Sequence, residues 1–385
     1  MSFCIGVIQM TMNETLNMYF RVIKDERCQC DVKHPLVDVL KLSMISILCG
    51  TDELDKIVDY GKNKQEFLER EFGIKKIPSK STITRIFAML DPKWLSLSVV
   101  GILKALIKTP HEQIMIDGKA IRSTDAIQRI EKMMSIVTAY TDTSISLGQV
   151  TVDSKSNEIP AVRDLLDMID VKGAVVTMDA MHCQKETVEK IINNGGDYVV
   201  QLKGNQGNFH EDVYAMFDDK YMDESDKDSE YEVFQTIEKS HGRIEKRTCY
   251  VLANVEYFTD YLAEWKGLKK IFAVKRIVES KGKVSKEVSC YLSSKNTSAE
   301  KLLSYTRTHW MIEGMHHILD VTYDEDRCKL LSQRAHENLN IFRKLGIAVH
   351  KNYLKNKKQT VKSNMFNCLL NDNLLLDLLH LCHIQ

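Results

Sequence analysis

A chain of 385 residues with 44% apolar and 28% charged residues, and with 53 Lys plus Arg against 53 Asp plus Glu, has the composition of a folded soluble protein, which excludes the disordered, collagenous and membrane classes. At about 150 residues per domain the length allows two or three domains and a core able to hold a preorganised site. Zero net charge speaks against a uniformly basic nucleic-acid binder, but it conceals a segregation: Glu211 to Glu232 carries ten acids and two lysines, whereas Arg327 to Ser363 carries ten basic residues and one acid, Glu337. Such asymmetry predicts either a polyanion contacted locally or a solvated helix face.

The chain opens on MSFCIGVIQM, whose apolar stretch has no basic leader, and the run Pro35 to Gly50 is short and interrupted by Asp38 and Lys41. Neither segment fits a signal peptide or a membrane span, so the expected compartment is the cytoplasm, with no membrane partner. Ten cysteines without a CxxC pair or regular spacing agree, reading as reduced thiols.

Residues 1 to about 105 read as helical, with apolar positions at three-to-four spacing through Leu36, Leu40, Met44 and Ile47 and again through Leu54, Ile57 and Val58. In IPSKSTITRIFAMLDP, Ser79 is an expected N-cap, Ile83, Ile86, Phe87 and Leu90 form an apolar stripe, and Asp91-Pro92 is the expected stop. Lys80, Thr82 and Arg85 fall off that stripe, as the exposed residues of a DNA-reading helix would, or those of any surface helix.

From about 112 the pattern changes to strand-like runs alternating with helices: QIMIDGKAI, MMSIVTAYTD, ISLGQVTVD, a helix from Ala161 to Ile169, AVVTMDAM, a helix from Lys185 to Asn193, and DYVVQLK. This is the grammar of a mixed α/β sheet. After the acidic stretch, KRTCYVLANV, KKIFAVKRIV and EVSCYLSS predict a β-rich insertion before a long helix. That helix is expected to start at Thr297, in a capping-box pattern with Glu300, and to run on through WMIEGMHHIL.

Asp117 and Asp179 each close an apolar strand run, where the rim of an α/β sheet binds ligands, although aspartate is also a common turn former. Glu313 lies in the apolar helical segment TRTHWMIEGMHHILDV beside His309, Trp310, His316 and His317. A carboxylate on such a face calls for an Arg or Lys partner, or for a cation shared with the two aspartates. His309, Glu313 and His317, four residues apart in turn, leave open a zinc site and with it a zinc-dependent hydrolase.

The strings DGKAIRST, TDTSISLGQVTVDSKSNEIPAVRDLLDMIDVKGAVVTMDAMHCQKETVEKIINNGGDYVVQLKGNQ, HGRIEKR and RTHWMIEGMHHILDVTYDEDRCK resemble, in order, the signature blocks of the H-repeat-associated insertion-sequence transposases, part of the DDE transposase group. The block DERCQCDVKHPLVDVLKLSMISILCGTDELDKI resembles that family's helical associated domain. The resemblance implies an α/β fold, with an RNase H-like mixed sheet carrying a β-rich insertion and an N-terminal all-helical domain. It implies helical DNA-binding residues 1–105, a catalytic region 106–345 with the insertion at about 207–296, and a basic helical tail 346–385.

It also implies that Asp117, Asp179 and Glu313 are catalytic carboxylates holding two Mg²⁺ ions, for which Mn²⁺ substitutes, with double-stranded DNA as partner and a homodimer in the synaptic complex. The reaction implied is phosphodiester hydrolysis and strand transfer at the element's ends; the alternative is a catalytically inactive DNA-binding relic. Gly314 and His317 depart from the Asn and Trp usual in the family at those positions. Lys203, Asn205 and Gln206 of LKGNQ, His241 and Arg243 of HGRIEKR, and Lys355, Lys357 and Lys358 join Lys80, Thr82 and Arg85 as DNA-binding candidates.

Overall fold

The computed structural model describes residues 10–28, 30, 32–121, 134–152, 158–217, 230–240, 242–328, 330 and 332–380. Six helices come first: α1 (Met12–Phe20), α2 (Leu36–Leu48), α3 (Leu54–Asn63), α4 (Gln65–Phe72), α5 (Lys80–Met89) and α6 (Pro92–Leu106). Their boundaries follow local chemistry. Thr11 and Glu14 form a capping box at α1, and the Ser79 hydroxyl accepts from the Thr82 amide at the start of α5. The expected stop at Asp91-Pro92 is also a start, because Asp91 caps α6 and Pro92 occupies its first turn. Eleven of the thirteen residues of α2 are buried, so it is a core helix with no solvent face of consequence.

The sheet has nine strands in the order β3-β2-β1-β4-β5-β9-β8-β7-β6. They are β1 (Gln113–Ile121), β2 (Met134–Thr141), β3 (Ser146–Val152), β4 (Val175–Met178), β5 (Asp197–Leu202), β6 (Tyr231–Ser240), β7 (Arg243–Leu252), β8 (Lys270–Ser280) and β9 (Lys283–Ser293). The pairs β1/β4 and β4/β5 are parallel and all others antiparallel. Helices α7 (Glu158–Met168) and α8 (Lys185–Asn193) make the crossovers into β4 and β5. Helices α9 (Asn208–Met216) and α10 (Thr259–Glu264) flank the added strands.

The expected β-rich insertion continues the sheet itself. Val199 to Leu202 of β5 pair with Cys290 to Ser293 of β9, so four antiparallel strands extend the edge that β5 would otherwise expose. The predicted long helix is divided at Trp310 into α11 (Ala299–His309) and α12 (Met311–Val321), and its N-cap is Ser298, whose hydroxyl accepts from the Lys301 amide, in place of Thr297.

The last helices are α13 (Gln333–Tyr353), α14 (Val361–Leu370) and α15 (Asp372–Leu379). The expected boundary at 345/346 falls inside α13, and fifteen of that helix's 21 residues are buried. Two of the ten basic residues counted between 327 and 363 are therefore core residues. Arg343 bonds Asp52 at 2.7 Å and lies 3.5 Å from Glu325, and Lys344 donates to Thr138 Oγ1 and Gln149 Oε1 at 2.6 and 2.8 Å. One apolar core runs from Leu16 of α1 through Ile114 of β1 to Leu379 of α15, so helices and sheet share an interior. Among the described residues no single helix is long and apolar enough to cross a membrane.

Candidate active site

Ile116 of β1 pairs with Met178 of β4, so Asp117 and Asp179 follow at matching positions on adjacent parallel strands. Strand β4 ends there while β1 runs on, paired only with β2. That leaves a notch at the carboxyl end of β4, the place where open α/β sheets bind ligands. Asp179 caps a single 3₁₀ turn, its Oδ1 accepting from the Ala180 amide at 2.6 Å. Glu313 comes from the first turn of α12. The three carboxylates line one cleft of about 270 Å³ together with Thr177, His309 and Trp310.

A clamp holds β1 against α12. Lys119, two residues beyond Asp117 and so on the same strand face, reaches Asp320 at 2.7 Å and Glu325 at 3.1 Å. Asp320 lies two helical turns beyond Glu313, so the ion pair that fixes Lys119 also fixes the approach of Asp117 to Glu313.

Electrostatics in the cleft are those of crowded acids. Burial, then the charges of Glu313, Asp179 and Glu158, push Asp117 up to about 7, against an opposing hydrogen bond from Gly118. Burial lowers His309 to about 4 and His316 to about 3, so both imidazoles are neutral at ordinary pH. His309 turns its Nδ1 to Thr177 Oγ1 at 3.0 Å, and His317 is exposed. Among the described residues the expected series His309, Glu313 and His317 does not converge into one ligand group.

Among the described residues a different trio has ligand atoms within 4.8 Å of one another: Asp117, Glu313 and His316. His316 Nδ1 stands 3.6 Å from Asp117 Oδ2, and its buried Nε2 has no hydrogen-bond partner. A partly buried carboxyl raised among like charges, with an imidazole nitrogen 3.6 Å away, fits a cation held between them.

Sequence reasoning passed over Glu158. Its carboxylate lies over Gly118, where a Cβ would meet Oε2 at 2.2 Å; it accepts from Ser135 Oγ at 2.8 Å and faces His182 Nε2 at 3.6 Å. The signal available was the glycine itself, since glycine inside a strand often marks close approach of another group.

The other candidates are dispersed. Lys203 stands 3.5 Å from Asp179 at the edge of the cleft. Asn205 and Gln206 donate to the carbonyls of Ala180 and Cys183 at 3.1 and 2.6 Å, bracing the turn after Asp179 rather than presenting free amides to a phosphate. Arg243 pairs with Glu245 on β7 at 3.0 Å; His241 lies outside the described residues. Lys80 pairs with Asp55 at 2.6 Å, the Thr82 hydroxyl meets Ser79 Oγ at 3.0 Å, and Arg85 is exposed. Lys355, Lys357 and Lys358 are exposed beyond α13, with Lys357 over the Tyr353 ring. Next to the cleft, Arg247, Arg276, Arg307 and the exposed Trp310 line a second basin of about 370 Å³.

A family model described as Transposase DDE domain matches residues 106–348, and one described as DDE_Tnp_1-associated matches residues 17–100. The chain is 32% identical to the H repeat-associated putative transposase YhhI of Escherichia coli K12, over 86% of this chain and 89% of that protein. It is 34% identical to the putative transposase YncI of Escherichia coli O157:H7, over 87% and 86%, and 33% identical to the putative protein YbfL of Escherichia coli K12, over 86% and 89%. With two adjoining family matches and three relatives aligned along most of their length, this chain belongs to the DDE transposase family.

Proposed function

We propose that the protein cuts and joins DNA at the ends of an insertion sequence, by metal-dependent phosphodiester hydrolysis followed by transesterification. The observation that supports this most is the shared cleft of Asp117, Asp179 and Glu313. In this reading the three carboxylates hold a pair of Mg²⁺ ions, for which Mn²⁺ substitutes, and the core of the sheet is RNase H-like. When bound, such a pair activates the attacking oxygen, first of water and then of a DNA 3′-hydroxyl, and stabilises the leaving oxygen of an in-line displacement.

The protein's own part is positional. Asp117 and Asp179 are fixed by neighbouring strands, Glu313 is fixed by the Lys119 clamp, and Lys203 is available to a phosphate at the rim. DNA is held by residues 1–105 through Lys80, Thr82 and Arg85, and by residues 346–385 through Lys355, Lys357 and Lys358, around a catalytic region 106–345; Arg243 and His241 contact DNA from the strand extension. Two copies synapse the element's ends in the cytoplasm.

The test is incubation with DNA carrying the element's ends, with and without Mg²⁺. Cation-dependent nicking that exposes a 3′-hydroxyl, lost in Asp117→Ala, Asp179→Ala and Glu313→Ala while DNA binding persists, is expected. Cleavage surviving any of those substitutions sinks the assignment, and binding without cleavage by the native chain marks an inactive relic.

A further inference from the structure

We infer that His316 is a metal ligand, so that one of the two cation positions has a mixed donor set of Asp117, Glu313 and an imidazole nitrogen and takes Mn²⁺ in preference to Mg²⁺. The inference rests on the reading that the carboxylates bind divalent cations, and adds a nitrogen donor to it.

Three independent observations carry it. Glu313 and His316 are three residues apart on α12 and so share a helix face, and that face is turned to β1 by the Lys119 clamp. The Nδ1 of His316 lies 3.6 Å from Asp117 Oδ2, too far for a hydrogen bond but within the spacing of two ligands on one ion. Finally, His316 is only 7% exposed, yet neither ring nitrogen makes a hydrogen bond of normal length. Burying such a group without partners is costly. A cation at Nδ1 gives that nitrogen a partner, while Nε2 keeps none.

Three other histidines stand near the cleft: His309 is committed to Thr177, His317 is exposed, and His182, although buried and equally without hydrogen-bond partners, faces Glu158 at 3.6 Å instead of converging with Asp117 and Glu313. Carboxylate and water oxygens alone suit Mg²⁺, whereas an imidazole nitrogen shifts the balance toward a transition-series ion.

The test uses the full-length protein loaded with Mn²⁺ alone in nitrogen-free buffer. Electron spin echo envelope modulation should detect a directly coordinated ¹⁴N, absent in His316→Gln and retained in His309→Gln. Mn²⁺ affinity, followed by calorimetry, should fall about tenfold or more in His316→Gln. His316→Asn keeps a short polar side chain at the same place; it should still bind Mn²⁺, without nitrogen modulation and with a smaller preference over Mg²⁺.

Wild-type protein that binds Mn²⁺ without ¹⁴N modulation, or modulation lost in His309→Gln instead, overturns the inference and leaves the carboxylate reading standing. Asp117→Asn that binds Mn²⁺ as tightly as wild type overturns the carboxylate reading, and this inference with it.

Discussion

In the metal-free protein Asp117 holds its proton up to about pH 7, against an ordinary value of 3.8, because it is partly buried and faces the charges of Glu313, Asp179 and Glu158. The folded state therefore binds that proton more tightly than the unfolded chain does. The stability linked to it is complete below the unfolded value, near pH 4, and is lost as the pH rises through the folded value near 7. A rise of about three pH units, at about 1.4 kcal/mol each, sets a ceiling of about 4 kcal/mol on what the ionised carboxylate costs the fold at pH 8. Asp117→Asn keeps the shape and removes the charge. It should make the metal-free protein more stable than wild type by roughly 2–4 kcal/mol at pH 8, with the difference gone near pH 4. Mn²⁺ should stabilise the wild type through mass action and the variant far less. Urea unfolding in the presence of a chelator, followed by circular dichroism across this pH range, measures all three. A variant no more stable than wild type at pH 8 would refute the argument that these acids are crowded, and would remove one reason for expecting a cation among them.

Arg343→Met strips the buried Asp52 and Glu325 of their shared cation and should lower stability by about 3–5 kcal/mol in urea titration; a loss under about 1 kcal/mol counts against the network. Adding Asp52→Asn to that variant should restore part of the loss. Changing Lys355, Lys357 and Lys358 to Glu should weaken binding to all DNA alike and flatten its salt dependence, by about 0.9 in the logarithmic slope per lost phosphate contact. A slope equal to that of wild type contradicts the assignment. Replacing Lys80, Thr82 and Arg85 with Ala should cost discrimination between the element's ends and random DNA in competition binding, and unchanged discrimination rules out α5 as the reading helix.

Much of the site was legible because its framework is local. Asp117 and Asp179 stand next to runs of apolar residues that form strands wherever two faces are buried, and the Ser79 cap follows from hydroxyl chemistry at a helix start. What escaped depends on tertiary environment. A count of charges along the sequence cannot see that Arg343 and Lys344 are sunk in the core, since only Asp52, Glu325, Thr138 and Gln149, all distant in sequence, reveal it. The strand β6, mostly exposed, hides at the end of an acidic stretch that carries little periodic signal. Nothing in WMIEGMHHIL announces the break at Trp310. Which histidine of that helix faces the acids depends on how it packs against β1, so the sequence pointed to His309 and His317 while the fold brings His316 to Asp117.

The ion-pair chain from Asp52 through Arg343 and Glu325 to Lys119 also bears on how copies of such an element can decay. A deletion removing the first hundred residues would take away Asp52 and much of the packing over α13. It would leave Arg343 with half its counterions and α13 without the N-terminal helices that pack on it. Shortened copies should then survive as unstable chains cleared by proteolysis rather than as freestanding nucleases, and recombination between diverged copies should be tolerated only where Asp52 and Arg343 travel together.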